Sequence, residues 1–387
     1  GYVFPGSEVY GGLANTWDYG PYGVILKNNI KRYWWKKFVD SREDMVGLDS
    51  SILLNPKVWE ASGHLTSFTD PLMDCKKCKE RVRGDKLIEE KLGVDMVAGK
   101  SLKEISELIK QNKIPCPKCG ACDFTEARSF NLMFRTHQGV IESEGNMVYL
   151  RPETAQGIFI NFKNVYQSTR KKIPFGIAQI GKAFRNEITP GNFTYRTREF
   201  EQMEIEYFNN PQDQKSTETK FKEWKEEAFD FFKEIGVKEE NLRFREHDQK
   251  ELSHYSSMTV DIEYNFPFGW GELMGIADRG QFDLTQHEVF SKEDLKYIDP
   301  ITNEKYLPRV IEPSFGVERT FLTVLLDAYT EDKVGEEERI VLKLSPRIAP
   351  VKAAIFPLMK KPDLVSKSRE IFDNLKKKFI VEYDESG

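Results

Sequence analysis

Residues 184–206 read FRNEITPGNFTYRTREFEQMEIE, and strand alternation limits what that stretch can become. Pro190-Gly191-Asn192 interrupts the pattern, so a hairpin is predicted. Its first strand ends near Glu187, and its second runs from Thr197 past Glu206. Neighbouring strand side chains face opposite ways. Arg185 and Glu187 therefore share a face, as do Arg198, Phe200, Gln202, Glu204 and Glu206. Met203, Ile205 and Tyr207 fall on the other face and are expected in the core. A guanidinium fork matches phosphate or carboxylate oxygens. An aromatic ring can stack on a base, and carboxylates can hold an ammonium group. Such a face suits a nucleoside triphosphate beside an amino acid. A surface strand laced with ion pairs has the same composition, so the rest of the chain has to decide.

The chain has 387 residues, enough for two or more domains. Its net charge of −5 speaks against indiscriminate nucleic-acid binding through bulk charge, though not against a local basic patch. No apolar run reaches the roughly 20 residues of a membrane span. The sequence starts at Gly1 and stops at Gly387 in mid-pattern, as a fragment would.

All five cysteines lie between Cys75 and Cys122. That clustering points to a metal site in a reducing cytoplasmic setting rather than a disulfide framework. Cys75-Lys-Lys-Cys78 and Cys116-Pro-Lys-Cys119 are two CxxC knuckles, and four thiolates in two pairs suit tetrahedral zinc. The gap between them exceeds the roughly 15–20 residues of a simple ribbon. An inserted helix explains it: Ser101 and Glu104 form a capping box ahead of Ile105, Leu108 and Ile109. Cys122 is a spare that could replace Cys119. Four thiolates leave no open position for a substrate, so the site reads as structural.

Elsewhere the periodicity is plain. Pro21 opens a predicted helix through Val39, with Ile25, Leu26, Ile30, Tyr33, Trp34 and Phe38 at helical spacing. It is either a core helix or one at a subunit interface. Ser51–Leu54 reads as a strand running into Asn55-Pro56 and a short helix. Pro152 suits the start of a helix carrying Ile158, Phe159 and Phe162. Residues 217–235 form a further core helix. Glu272 is expected on one strand face with Trp270 and Met274. In IEPSFGVER, Glu312 and Ser314 share a strand face, and Gly316 turns the chain into a helix with Phe321, Leu322, Leu325, Leu326 and Tyr329 buried. Arg319 then lies in the first turn, where a helix N-terminus favours anions. His64, His247 and His254 read as structural. From Ser345 a strand, a helix and a strand suggest one βαβ unit.

FRNE followed by RTREFEQMEIE resembles the second signature motif of the class II aminoacyl-tRNA synthetases, in wording closest to the homodimeric glycyl type. Pro21–Pro56 looks like the first motif, the dimer-building one, and IEPSFGVER like the third. WEASGH, RPETAQG and the Arg83-Gly84-Asp85 string are similar to further elements of the glycyl enzymes, although Gly84 departs from their usual alanine. The resemblance implies an α+β class II catalytic core, a mostly antiparallel sheet flanked by helices. It would span residues 1–73 and 126–345, with a cysteine-knuckle insertion at 74–125 and the start of an α/β anticodon-binding domain at 346–387.

The resemblance also implies roles. Arg185, Glu187 and Arg319 would be catalytic. Asn186, Tyr195, Arg196, Thr197, Arg198, Glu199 and Phe200 would serve ATP from the second motif. Gly316, Val317 and Glu318 would do so from the third, and Glu272 and Leu273 from the strand between. Glu272 would also hold magnesium. Glycine would meet Arg83, Glu153, Phe200, Glu201, Gln202, Met203 and Glu204 on one side. On the other it would meet Arg279, Glu312, Pro313, Ser314, Phe315 and Gly316. Arg83 could instead be a solvated arginine and Arg279 a fold ion pair. The expected partners are glycine, tRNA(Gly) and a second copy of the chain, with ATP and magnesium in the reaction. Two rivals are a related ligase charging a protein or carrier, and a non-catalytic paralogue; retention of Arg185, Arg198 and Arg319 weighs against the second.

Overall fold

A computed structural model describes residues 1–93, 96–97, 99–140, 142–248 and 256–386. His254 lies outside the described residues. Seven strands build the main sheet: β1 (Met45–Gly47), β2 (Phe175–Phe184), β3 (Glu199–Asn209), β4 (Leu242–Glu246), β5 (Met258–Phe266), β6 (Gly269–Gly280) and β7 (Arg309–Gly316). Their spatial order is β4-β5-β6-β7-β3-β2-β1. Every neighbouring pair is antiparallel except β1 with β2. The strand of the first motif is thus Met45–Gly47, not Ser51–Leu54, where Leu53 makes only an isolated bridge to Leu150.

Helices flank both sheet faces. On one pack α1 (Pro21–Trp35), α3 (Gln214–Glu234) and α5 (Val317–Ala328), and on the other α2 (Ala155–Thr169) and α4 (Phe282–Ser291), beside the end of β3 at Phe208. Pro21 sits in the first turn of α1, where its missing N–H costs nothing. Leu26, Ile30, Trp34 and Phe38 recur every four residues and are fully buried. They meet Phe231, Phe232 and Phe315 in the larger core, so this face of α1 is spent within the chain. Met203, Ile205 and Tyr207 join them, as alternation predicts. Tyr329 does not extend the buried stripe of α5; it opens an exposed strand, Tyr329–Val334.

The insertion is a small unit of its own. Thr69–Asp74 pairs with Arg81–Arg83 and Arg128–Asn131, and helices Gly84–Leu92 and Leu102–Gln111 fill the gap between the knuckles. The capping box forms as read: the Ser101 hydroxyl accepts from the Glu104 amide, and the Glu104 carboxylate from the Ser101 amide. At the C-terminal end Ala353–Ile355 and Val381–Tyr383 pair in parallel across helix Pro362–Leu375. No described helix is long and apolar enough to cross a membrane.

Candidate active site

The sheet face away from the main core carries one transverse row of directly opposed residues. Strand register sets Arg245 beside Asp261, Asp261 beside Gly275, Gly275 beside Ser314, Ser314 beside Glu204, and Glu204 beside Gln179. A cavity of about 380 Å³ lies over this row.

The central hairpin forms, with shorter strands than alternation alone suggests. β2 stops at Phe184, and pairing continues by one rung, with the Arg185 amide donating to the Arg198 carbonyl at 2.9 Å. Asn192 and Phe193 adopt φ 56°, turning the loop into a short 3-10 helix at Phe193–Tyr195. Arg185 is held by the Pro152 carbonyl at 3.0 Å and lies 5.4 Å from the rings of Phe68 and Phe200. Glu187 lines the cavity, and among the described residues its Oε2 has no hydrogen-bond partner. Tyr195, Arg196, Thr197, Phe200, Gly316 and Glu318 also line it. Arg319 stacks on Tyr195 at 4.5 Å and pairs with Glu272 at 3.0 Å. That pairing pulls the Glu272 carboxyl down.

At the other end stand Glu153, Gln202, Glu204, Glu312 and Ser314. Glu153 belongs to the turn before α2, since that helix starts at Ala155 rather than at Pro152. Burial works to raise Glu153, but His64, at 3.4 Å, and Arg279 outweigh it, and its carboxyl lies well below the usual range. Burial, and then the Glu153 charge, raise Glu204. Burial pushes Glu312 up to about 8 against the pull of Arg279. Thr154 donates to Glu204 Oε2, and Gln202 reaches Ser314 at 3.3 Å.

Several expected residues point elsewhere. Arg279 is buried, donating to Glu312 at 2.6 Å and to both oxygens of Asp283, so it braces the pocket from behind instead of facing a substrate carboxylate. Arg83 is held between Asp70 at 2.8 Å and Asp85 at 2.6 Å; it does not line the cavity, although the charge of Glu187, which does, reaches it. Glu201 pairs with Lys27 and Lys31 on the opposite face. Glu318 gives its carboxylate to Lys27, at 2.6 Å, and to the Glu201 amide. Met203, Leu273, Phe315 and Val317 are core, and Pro313 is buried on their side of β7. Glu199 pairs with Lys182 at the surface, and Arg198 donates to the Glu187 carbonyl and lines a neighbouring cavity. Asn186 is not among the cavity residues; its amide donates to the Leu132 carbonyl.

Two bulges explain part of this. Pairing of β5 with β6 slips between Ile262 and Glu263, which leaves Leu273 without a directly opposed partner. Glu272 and Met274 therefore fall on opposite faces, one at the cavity and one in the core. A second slip, between Asp278 and Gly280, re-aims Arg279.

Other residues escaped the sequence reading. His64 supports Glu153 and also contacts Ser62 at 2.7 Å. His247 lines the far end of the cavity, 2.6 Å from Asp261. The motif string WEASGH marked the first residue; nothing local marked the second.

In the insertion, the sulfurs of Cys75, Cys78, Cys116 and Cys119 all lie within 4.8 Å of one another. The pairs Cys75–Cys119 and Cys78–Cys116 are 3.6 Å apart. Tetrahedral zinc with Zn–S bonds of about 2.3 Å requires sulfurs roughly 3.8 Å apart, so the four thiols fit such an ion. Cys122 is exposed, with its thiol against the Lys113 carbonyl.

Residues 134–329 match the tRNA synthetase class II core domain (G, H, P, S and T). Over its whole length the chain is 60% identical to a glycine–tRNA ligase of Caldanaerobacter subterraneus, covering 84% of that protein. It is 58% identical, again over its whole length, to a glycine–tRNA ligase of Geobacillus kaustophilus, covering 84% of it. Among solved structures, Giardia lamblia prolyl-tRNA synthetase in complex with prolyl-adenylate superposes with a TM-score of 0.62 at 16% identity, over 97% of this chain and 60% of that one. That likeness carries the fold. The chain belongs to the class II aminoacyl-tRNA synthetases, in their glycine–tRNA ligase family.

Proposed function

We infer that the chain activates glycine with ATP and passes the glycyl group to the 3′ end of tRNA(Gly). The carrying observation is the two-ended cavity. One end gathers Glu153, Glu204, Glu312 and Ser314, and the other gathers Arg185, Glu187, Phe200 and Arg319. The glycine carboxylate attacks the α-phosphorus of ATP, pyrophosphate leaves, and the tRNA hydroxyl later displaces AMP. Such transfers depend on positioning and charge stabilisation, so no nucleophilic side chain is needed.

Arg185 spans the α-phosphate and the attacking carboxylate. Phe200 stacks on adenine, and the unpartnered Glu187 Oε2 accepts from its amino group. Arg319 covers the other face of the nucleotide and neutralises the outer phosphates. Magnesium bound with ATP would add charge neutralisation, and Glu272, kept ionised by Arg319, is its natural oxygen ligand. Glu153, Glu204 and Glu312 hold the ammonium. Their bulk leaves no room for a side chain, and steric exclusion is how a pocket selects glycine.

Glu204→Gln is expected to fold as the parent does and to lose glycine-dependent pyrophosphate–ATP exchange by about 10²-fold. Undiminished exchange would remove Glu204 from the pocket, and exchange with alanine or serine in the parent would overturn the glycine assignment.

The cysteine site takes one structural zinc, in a cytosolic, homodimeric enzyme. Because the four thiolates tie together strands and turns of a small unit, metal binding there is folding energy. Chelation, or Cys116→Ser, is expected to expose the insertion to proteolysis between residues 74 and 125. An apo protein as protease-resistant as the loaded one would refute a structural role.

A further inference from the structure

Glu206 is fully buried, and among the described residues neither of its carboxyl oxygens has a hydrogen-bond partner. Oxygens of Glu204, Glu206 and Glu312 lie within 4.8 Å of one another. Strand register explains the crowding. Glu204 opposes Ser314 and Tyr207 opposes Ile311, which sets Glu206 directly across from Glu312. Beyond it on the same face lies Phe208, in the second apolar core.

The charged groups around Glu206 come from four quarters. Glu204 is on its own strand, Glu312 on β7, Arg279 on β6 and Asp283 on α4. Glu153, before α2, and His287, on α4, lie further out. Arg279 already serves Glu312 and both oxygens of Asp283. Charge balance then fails if every carboxyl is ionised: Glu204, Glu206, Glu312 and Asp283 would share Arg279, with Arg151 acting on Glu204 and His64 on Glu153 from further out. Like charges directly opposed in a sheet repel, and a dry carboxylate without donors is costly. A shared proton resolves both problems, because a protonated carboxyl supplies an O–H donor.

Resting on the glycine pocket proposed above, we propose that Glu206 is a neutral carboxylic acid and a positioning residue. Its single hydroxyl donates to the facing Glu312 carboxyl and keeps that group aimed at the substrate ammonium. Burial, and then the facing Glu312 charge, move the Glu206 carboxyl well above the usual range, which agrees with this state. Glu312 lies between two donors, Arg279 from one side and Glu206 from the other. Glu204 has Thr154 in the corresponding place.

Two variants separate donor from charge. Glu206→Gln keeps a neutral, donating group of the same shape, whereas Glu206→Leu keeps volume alone. In pyrophosphate–ATP exchange, Glu206→Gln is expected to hold the glycine KM within about threefold of the parent, with the same pH profile. Glu206→Leu is expected to raise glycine KM about tenfold or more and leave the ATP KM in place. Equal damage in both variants would overturn the proposal and mark Glu206 as an ionised group or a cation ligand. A second measurement stands apart from activity. The infrared difference spectrum of parent minus Glu206→Gln near neutral pH should contain the carbonyl band of a protonated carboxylic acid. Its absence refutes the neutral state whatever the substrate. Its presence beside failed glycine exchange would locate the fault in the glycine reading alone.

Discussion

Arg185→Ala is expected to cut the rate of glycine-dependent exchange by about 10²–10³-fold, the usual cost of removing one preorganised group that meets developing charge. The expectation follows from how Arg185 is held. It stands past the end of β2, one rung beyond regular pairing, where its backbone is pinned to Arg198. Its Nε is committed to the Pro152 carbonyl, and its plane lies between Phe68 and Phe200. The remaining nitrogens are thereby aimed before substrate arrives. Arg185→Lys keeps the charge but loses the fork, so its rate should fall between parent and alanine. Steady-state exchange at saturating glycine and ATP reads the effect, and melting temperatures check the fold. If the alanine variant merely raised the ATP KM at full kcat, Arg185 would be a ground-state binder only.

Arg279→Leu is expected to destabilise the protein by about 3–5 kcal/mol, the range for removing one partner of a buried ion pair. Arg279 braces Asp283 and Glu312 from behind and sits within reach of Glu153. Without it the carboxyls face one another alone. The loss should depend on pH, and its sign follows from Glu312. Burial pushes that carboxyl up to about 8 in the folded protein against an ordinary 4.5. A folded value above the unfolded one contributes stability that is complete below about 4.5 and lost as pH rises through 8. Removing Arg279 raises the folded value further. The variant should therefore lie closest to the parent near pH 5, where Glu312 is protonated in both, and furthest from it at about pH 9–10, where only the parent's Glu312 has ionised. Denaturant melts at both values test this; a deficit independent of pH would rule out the electrostatic account.

Much of the site was legible because its geometry is local. Alternation placed Phe200, Gln202 and Glu204 on one face and Met203, Ile205 and Tyr207 on the other, and β3 has no bulge to upset the count. The capping box of Ser101 and the four knuckle cysteines were equally local. Alternation failed on β6, where slips beside Leu273 and Arg279 shift the period, and no residue type there announces a bulge. Partners distant in sequence were also hidden. Lys27 takes up the carboxylates of Glu201 and Glu318 from α1, and His64 supports Glu153 from a loop of its own. Motif strings identified these acids but not the groups that draw some of them away from the substrate. The distinction matters for mutagenesis: Glu318 and Glu201 should report on stability, whereas Glu204 and Glu153 should report on glycine.

The transverse row beneath the cavity works as a ruler whose divisions are strands. Three strand spacings separate Glu204 from Asp261, about 14 Å at the usual pitch. That length is set by main-chain hydrogen bonds and owes nothing to which side chains stand on it. The acids at one end can be exchanged without altering how far they lie from the other end, and so without re-spacing the nucleotide. Chemistry and distance are thus encoded in separate parts of the chain, the first in side chains and the second in backbone.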